Sequence, residues 1–170
     1  MPILLCVACV AAGAYGVLHD QRTYWLSPDD YHAFKVLQFR VPPDQRNWLG
    51  AAIVGWKATW WMGALVGGPV VLAAFAFRDP AEYRRRCVRG FIVVALVAAA
   101  FGVLAWLYGS ATIGPDALPA FAYPEGVVDR AAFARVGVIH NASYAGGAAG
   151  LAAALVDMAI ARVRAAGHGR

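Results

Sequence analysis

Two short strings hold the residues best equipped for chemistry. His19-Asp20-Gln21 closes the first apolar run of the chain, and His140-Asn141 interrupts the last. Imidazole nitrogens and a carboxylate are good ligands for zinc, iron or copper, so His19, Asp20, His140 and Asn141 form the candidate ligand or metal set. Asn141 or Tyr144 suits the role of orienting an imidazole through its second nitrogen. The same groups can relay protons or take one from a substrate. Gln21, Tyr24, His32, Lys57 and Tyr144 are the supporting polar residues, with His32 a further imidazole from the following loop. A plainer reading stands beside this one. The polar groups cap helix ends and staple the first loop to the last helix, while Lys57 runs its ammonium out to the membrane surface.

Other motifs carry less. Cys6-Val-Ala-Cys9 has redox or metal spacing but lies inside an apolar stretch, where two small packing residues explain it as well. Cys87 sits among arginines that favour a thiolate, without a catalytic partner nearby in sequence. No external cysteine pair occurs, so no structural disulfide is expected. His140 and Ser143 share a helix, but a nucleophile also needs an orienting group and an oxyanion site. No phosphate-binding loop, nucleotide fingerprint or helical HExxH is present, and the Asn141-Ala-Ser143 sequon falls within an apolar run.

Composition says what must position these residues. Of 170 residues, 61% are hydrophobic and only 15% charged, too few charges to cover the surface of a soluble domain. Disorder, collagen, coiled coil and a secreted disulfide scaffold are excluded as well. A spanning helix needs roughly 20 apolar residues. Four runs qualify, at approximately 2–18, 50–77, 91–109 and 133–161. Runs this long and rich in Ala, Leu and Gly are not barrel strands. The expected fold is all-α: a polytopic four-transmembrane-helix bundle forming a single domain, residues 1–170. The first run also has the look of a signal-peptide core, with small residues at Ala11–Ala14, but lacks a basic residue before it.

Loops 19–49 and 110–132 then fall on one side, and loop 78–90 with tail 162–170 on the other. Arg78, Arg84, Arg85, Arg86 and Arg89 in the middle loop join Arg162, Arg164 and Arg170 in the tail. Positive residues stay inside, so both termini are expected to be cytoplasmic. The net charge of +5 accordingly reports orientation and contact with an anionic bilayer, not nucleic acid. Within the first external loop, Ser27-Pro28-Asp29-Asp30 reads as a capped helix start. Tyr31, Phe34 and Leu37 then recur at helical spacing, with His32, Lys35 and Gln38 between them, predicting a short amphipathic interfacial helix. Pro42-Pro43 stops it. Asp129 is placed to cap the last helix, and Gly67-Gly68-Pro69 predicts a kink in the second.

Counting helical rise from the cytoplasmic boundaries sets His19, Asp20, Lys57, His140 and Asn141 at one depth, near the external edge of the hydrocarbon. Ionisable groups at that depth face the bundle interior and pair with one another. The stripe Ala142, Gly146, Gly150 and Ala154, together with Gly13 and Gly16, permits close helix approach and makes the first and fourth helices expected neighbours.

Residues 18–64 and 140–150 resemble a family of small uncharacterised bacterial membrane proteins with four spans. His19-Asp20-Gln21-Arg22-Thr23-Tyr24, Ser27-Pro28, Ala58-Thr59-Trp60-Trp61 and His140-Asn141-Ala142-Ser143-Tyr144 carry the likeness. It implies a bacterial inner-membrane location and no particular reaction. The functional expectation is a binding or accessory subunit whose periplasm-facing polar cluster holds an ion or small ligand, or docks a membrane partner or a second copy. The metal, if one is held, is a divalent transition metal. The alternative is a membrane-embedded metal-dependent enzyme using the same cluster. A transporter or channel ranks third, because a single polar layer provides no path through the inner half.

Overall fold

The computed structural model describes residues 2–167, and among these every regular element is helical. α1 runs Pro2–Leu26, α2 Trp48–Thr59, α3 Met62–Ala74, α4 Pro80–Thr112 and α5 Arg130–Gly167. Between α1 and α2 a loop helix is built from three consecutive pieces: Pro28–Asp30, a π-type turn Tyr31–Lys35, and Val36–Gln38. Three helices are long and apolar enough to cross a bilayer: α1, α4 and α5. Their outer faces carry exposed Ile3, Leu18, Ile92, Leu96, Leu104 and Val163, the reverse of a soluble surface.

Several boundaries differ from the sequence expectation. α1 does not end at Leu18 but continues to Leu26, which puts His19 and Asp20 inside a helix rather than at a corner. The second run is divided at Trp60-Trp61, where Gly63 and Ala64 hydrogen-bond three residues back to the Trp60 and Trp61 carbonyls. The helix meanwhile continues through Pro69, the site of the expected kink. The arginine-rich loop is mostly helix. Only Arg78 and Asp79 lie outside α4, and the Asp79 carboxylate caps it by accepting from the Glu82 amide at 2.7 Å. Asp129 does cap α5, accepting from Ala132 at 2.9 Å. Ser27 starts the loop helix in extended conformation, but its side chain makes no capping bond. Arg170 of the expected tail lies outside the described residues.

The helices pack as two hairpins. α4 and α5 lie along one another for most of their length, and α1 lies along α2 and α3. The glycine stripes explain both seams. A Cβ on Gly146 would meet Phe101 and Ala98, and one on Gly150 would meet Val94 and Val97, all on α4. Gly16 faces the backbone of Gly55 and the side chain of Thr59, while Gly13 faces the Trp56 ring. Thr59 then donates across the seam to the Ala12 carbonyl at 2.8 Å. The small residues therefore do bring helices together, but α1 closes on α2 instead of on the last helix, with which it has few contacts. At the arginine-rich end the two hairpins share a core of Val70, Val71, Ala74, Phe77, Cys87, Ala154 and Met158. Asp157 of α5 binds Arg89 of α4 there at 2.7 Å, and Cys87 is fully buried, not exposed to its arginine neighbours.

Candidate functional site

At the opposite end the hairpins are held by polar groups. His19 on α1 and His140 on α5 face each other, Nε2 to Nδ1 at 3.2 Å, with ring planes 66° apart. Tyr15, one turn below, stacks on His19 with centroids 5.7 Å apart. Asp20 is 4% exposed, and the candidate ligand atoms of His19, Asp20 and His140 all lie within 4.8 Å of one another. Three residues separated by up to 121 positions thus converge as depth counting predicts.

The loop helix adds two members that sequence reasoning leaves outside. Lys35 Nζ contacts His140 Nε2 and sits 3.3 Å from Asp30 Oδ2. Asp30 Oδ2 is in turn 3.7 Å from His140 Nε2. Both side chains are buried, at 13% and 5% exposure for Lys35 and Asp30. The cause is the π-turn. In an α-helix residues five apart point about 140° away from each other. In the Tyr31–Lys35 turn the Val36 amide bonds to the Tyr31 carbonyl, five residues back, so side chains at that spacing share a face. Tyr31 and Val36 enter the core, Lys35 turns inward, and Phe34 and Leu37 are left exposed. The expected apolar stripe of the amphipathic helix is thereby split, and its polar side supplies the site.

Tyr31 anchors this arrangement. Its hydroxyl lies 2.6 Å from Thr23 Oγ1, which also bonds the His19 carbonyl at 3.2 Å. Burial, with the neighbouring Asp20 carboxylate adding to it, pushes the Tyr31 phenol far up, so it acts as a neutral hydroxyl. Burial also raises the Asp30 carboxyl, against the pull of the Lys35 ammonium.

The supporting residues divide. Gln21 does not reach the cluster; its amide donates to the Trp48 carbonyl at 2.6 Å and ties α1 to the start of α2. Tyr24 and His32 pair with each other at 3.2 Å and pack against the outside of Tyr31. Lys57 is exposed and donates to the Phe39 carbonyl at 3.2 Å, away from the interior. It shares a helix face with Gly50 and Val54, which the returning loop covers through Val41. Asn141 and Tyr144 border the interior cavity below the histidines, and both are exposed in part.

Metal chemistry can be tested against the spacing. Tetrahedral ligands bound at ~2.0–2.1 Å stand ~3.3 Å from one another, and the two imidazole nitrogens are 3.2 Å apart. His140 Nδ1 faces His19, and ligation through it requires the proton on Nε2, where the Asp30 carboxylate at 3.7 Å is an acceptor and the donor-only Lys35 ammonium is not. Asp20 completes three protein ligands and leaves a fourth position for water or another ligand. Formally, Asp20 and Asp30 outweigh Lys35 by one negative charge, which favours a cation. No family model, curated protein or solved structure matches the chain.

Proposed function

We propose that this chain is a four-span bacterial inner-membrane protein that binds a divalent transition metal ion at its periplasmic edge through His19, Asp20 and His140. The convergence of those three side chains to within 4.8 Å carries the reading. On the side of His140 away from the ion, the Asp30 carboxylate, 3.7 Å from Nε2, is the acceptor suited to orient the ring through its second N–H, and Lys35 pairs with Asp30. We favour a binding or accessory role; a metal-dependent enzyme is the second reading, because three protein ligands leave a fourth position for water.

The fourth span would be α2 and α3 taken together, 48–74, about 40 Å of helical rise. Trp48, Trp56, Trp60 and Trp61 are exposed along it, as befits contact with lipid and its interface. With the arginine-rich end inside, both termini are cytoplasmic, and a reporter fused after Arg170 should read so.

Elemental analysis of the detergent-purified protein tests the metal site. About one equivalent of zinc, iron or copper is expected in the native sequence, with loss in both His19→Ala and His140→Ala. Cobalt substitution should give the visible bands of a low-coordinate site. Absence of metal after incubation with each of the three ions would overturn the proposal.

A further inference from the structure

Beneath the histidines the two hairpins do not close. They leave a cavity of about 420 Å³, within the size range of small-molecule sites. Its lining changes character along its length. His19, Asp20, Lys35 and His140 stand at one end; Ala8, Met62, Val66, Phe91 and Val94 line the other. On α1 the lining runs from Ala8 to Asp20, about 18 Å of rise, so the space is elongated along the helices and long enough for a hydrocarbon chain.

Two hydroxyls near the polar end have unused hydrogen-bonding capacity. Tyr15 Oη and Ser143 Oγ both belong to residues lining the cavity, both are buried, and they lie close enough to interact with each other while neither meets a third group in hydrogen-bond geometry. Buried polar groups ordinarily find partners, and hydroxyl donors are suited to a carbonyl acceptor. The charge at this end narrows the ligand further. In the metal-free chain, two carboxylates against one ammonium disfavour a carboxylate or phosphate head.

We propose that this cavity binds a neutral amphiphile, its hydrocarbon chain between the hairpins and its carbonyl-bearing head at Tyr15 and Ser143. A quinone with a prenyl-like tail and a monoacylglycerol share this chemistry. The cavity borders the metal site, but the inference does not require a bound ion: it rests on the cavity and the two hydroxyls.

The test is equilibrium binding to the purified full chain in detergent, freed of metal by a chelator, read by native mass spectrometry and thermal shift. The probes are a decyl-substituted benzoquinone, a monoacylglycerol and the matching fatty acid. Gly147→Leu is the blocking variant: Gly147 lines the cavity and a Cβ there meets nothing within 4 Å, so leucine fills the space without collision. Tyr15→Phe combined with Ser143→Ala removes the head donors and leaves the tail space intact. At least one neutral probe should bind, the fatty acid more weakly. Gly147→Leu should weaken the neutral probe about tenfold or more, and the hydroxyl double variant should do so to a smaller extent. Which of the two neutral probes binds identifies the source of the head group. Failure of both, tighter binding of the fatty acid, or unchanged binding by Gly147→Leu would each overturn the proposal. Helical content and metal content measured on the same variant keep misfolding and failure of the metal site apart from failure of the cavity.

Discussion

Removing the Lys35 ammonium should cost far more than removing a surface lysine. Nζ lies 3.3 Å from the Asp30 carboxylate, with side-chain exposures of 13% and 5%. At that distance and an effective dielectric of about 20, the pair attraction is about 5 kcal/mol. Lys35→Met keeps the apolar stem over the Tyr31 ring but leaves the carboxylate buried without its cation. Breaking a buried pair in this way costs ~3–5 kcal/mol. For a chain of 170 residues that is about 6–20 °C in Tm, at ~2–4 °C per kcal/mol. Asp30→Asn should be milder, because the raised Asp30 carboxyl already bears a burial penalty in the folded protein. The double variant should recover much of the loss. The sign with pH follows from the same shift. A carboxyl raised on folding favours the folded state while protonated, and that contribution is lost as pH rises through the raised value. The Lys35→Met deficit should therefore be largest at neutral pH and shrink in mild acid. Thermal unfolding of the four proteins of this cycle, followed by circular dichroism in one detergent, measures the coupling. A coupling below about 1 kcal/mol, the range of exposed pairs, would refute the buried geometry.

Four further substitutions probe the elements that position the site. Gly146→Ala should destabilise by about 1–3 kcal/mol, since its Cβ would lie 2.7 Å from Phe101 Cβ and 2.9 Å from Ala98 Cα; thermal unfolding should show Gly147→Ala, with open space around it, neutral or up to about 1 kcal/mol stabilising. Asp29 accepts from the Val128 and Asp129 amides at 2.8 and 2.9 Å, so Asp29→Ala should raise hydrogen exchange at those amides specifically and cost about 1–2 kcal/mol. Asp79→Ala removes the cap of α4 and should cost about 1 kcal/mol, with faster exchange confined to the amides of residues 81–83.

What the sequence disclosed, and what it concealed, follow from the kind of ruler each element offers. Within a helix every residue advances 1.5 Å, so depth can be counted, and His19, Asp20 and His140 were legible as one layer. The ruler gives no azimuth. Lys57 has the right depth but shares its face with Gly50 and Val54, under the returning loop, and so bonds Phe39 instead. Small-residue stripes likewise show that some helix approaches closely, not which one; Gly13 and Gly16 took α2 because Thr59 and Gly55 meet them there. Asp30 and Lys35 were illegible for a different reason. At 3.6 residues per turn Asp30 and Lys35, five apart, point about 140° from each other, and only the π-turn, with Tyr31 and Val36 both buried, sets them on one face.

The plainer reading of the polar layer can now be divided into the part that holds and the part that does not. Capping fails for the histidines. α1 continues seven residues beyond His19 to Leu26, and α5 begins at Arg130, ten residues before His140, so neither imidazole stands at a helix end. Stapling does hold, but other residues perform it: Asp29 grips the start of α5, and Asp30 with Lys35 binds the outer edge of His140. Those contacts fasten the loop helix to the second hairpin without recruiting α1. His19 and Asp20 are therefore surplus to the staple, yet they bring an imidazole and a buried carboxylate to the inner edge of His140, directly above the space between the hairpins. Burying a carboxylate at the edge of a membrane is costly unless a cation or donors meet it. Lys35 and the Tyr31 hydroxyl already meet part of that cost at Asp20, and an ion shared by His19, Asp20 and His140, as proposed, would offset the rest.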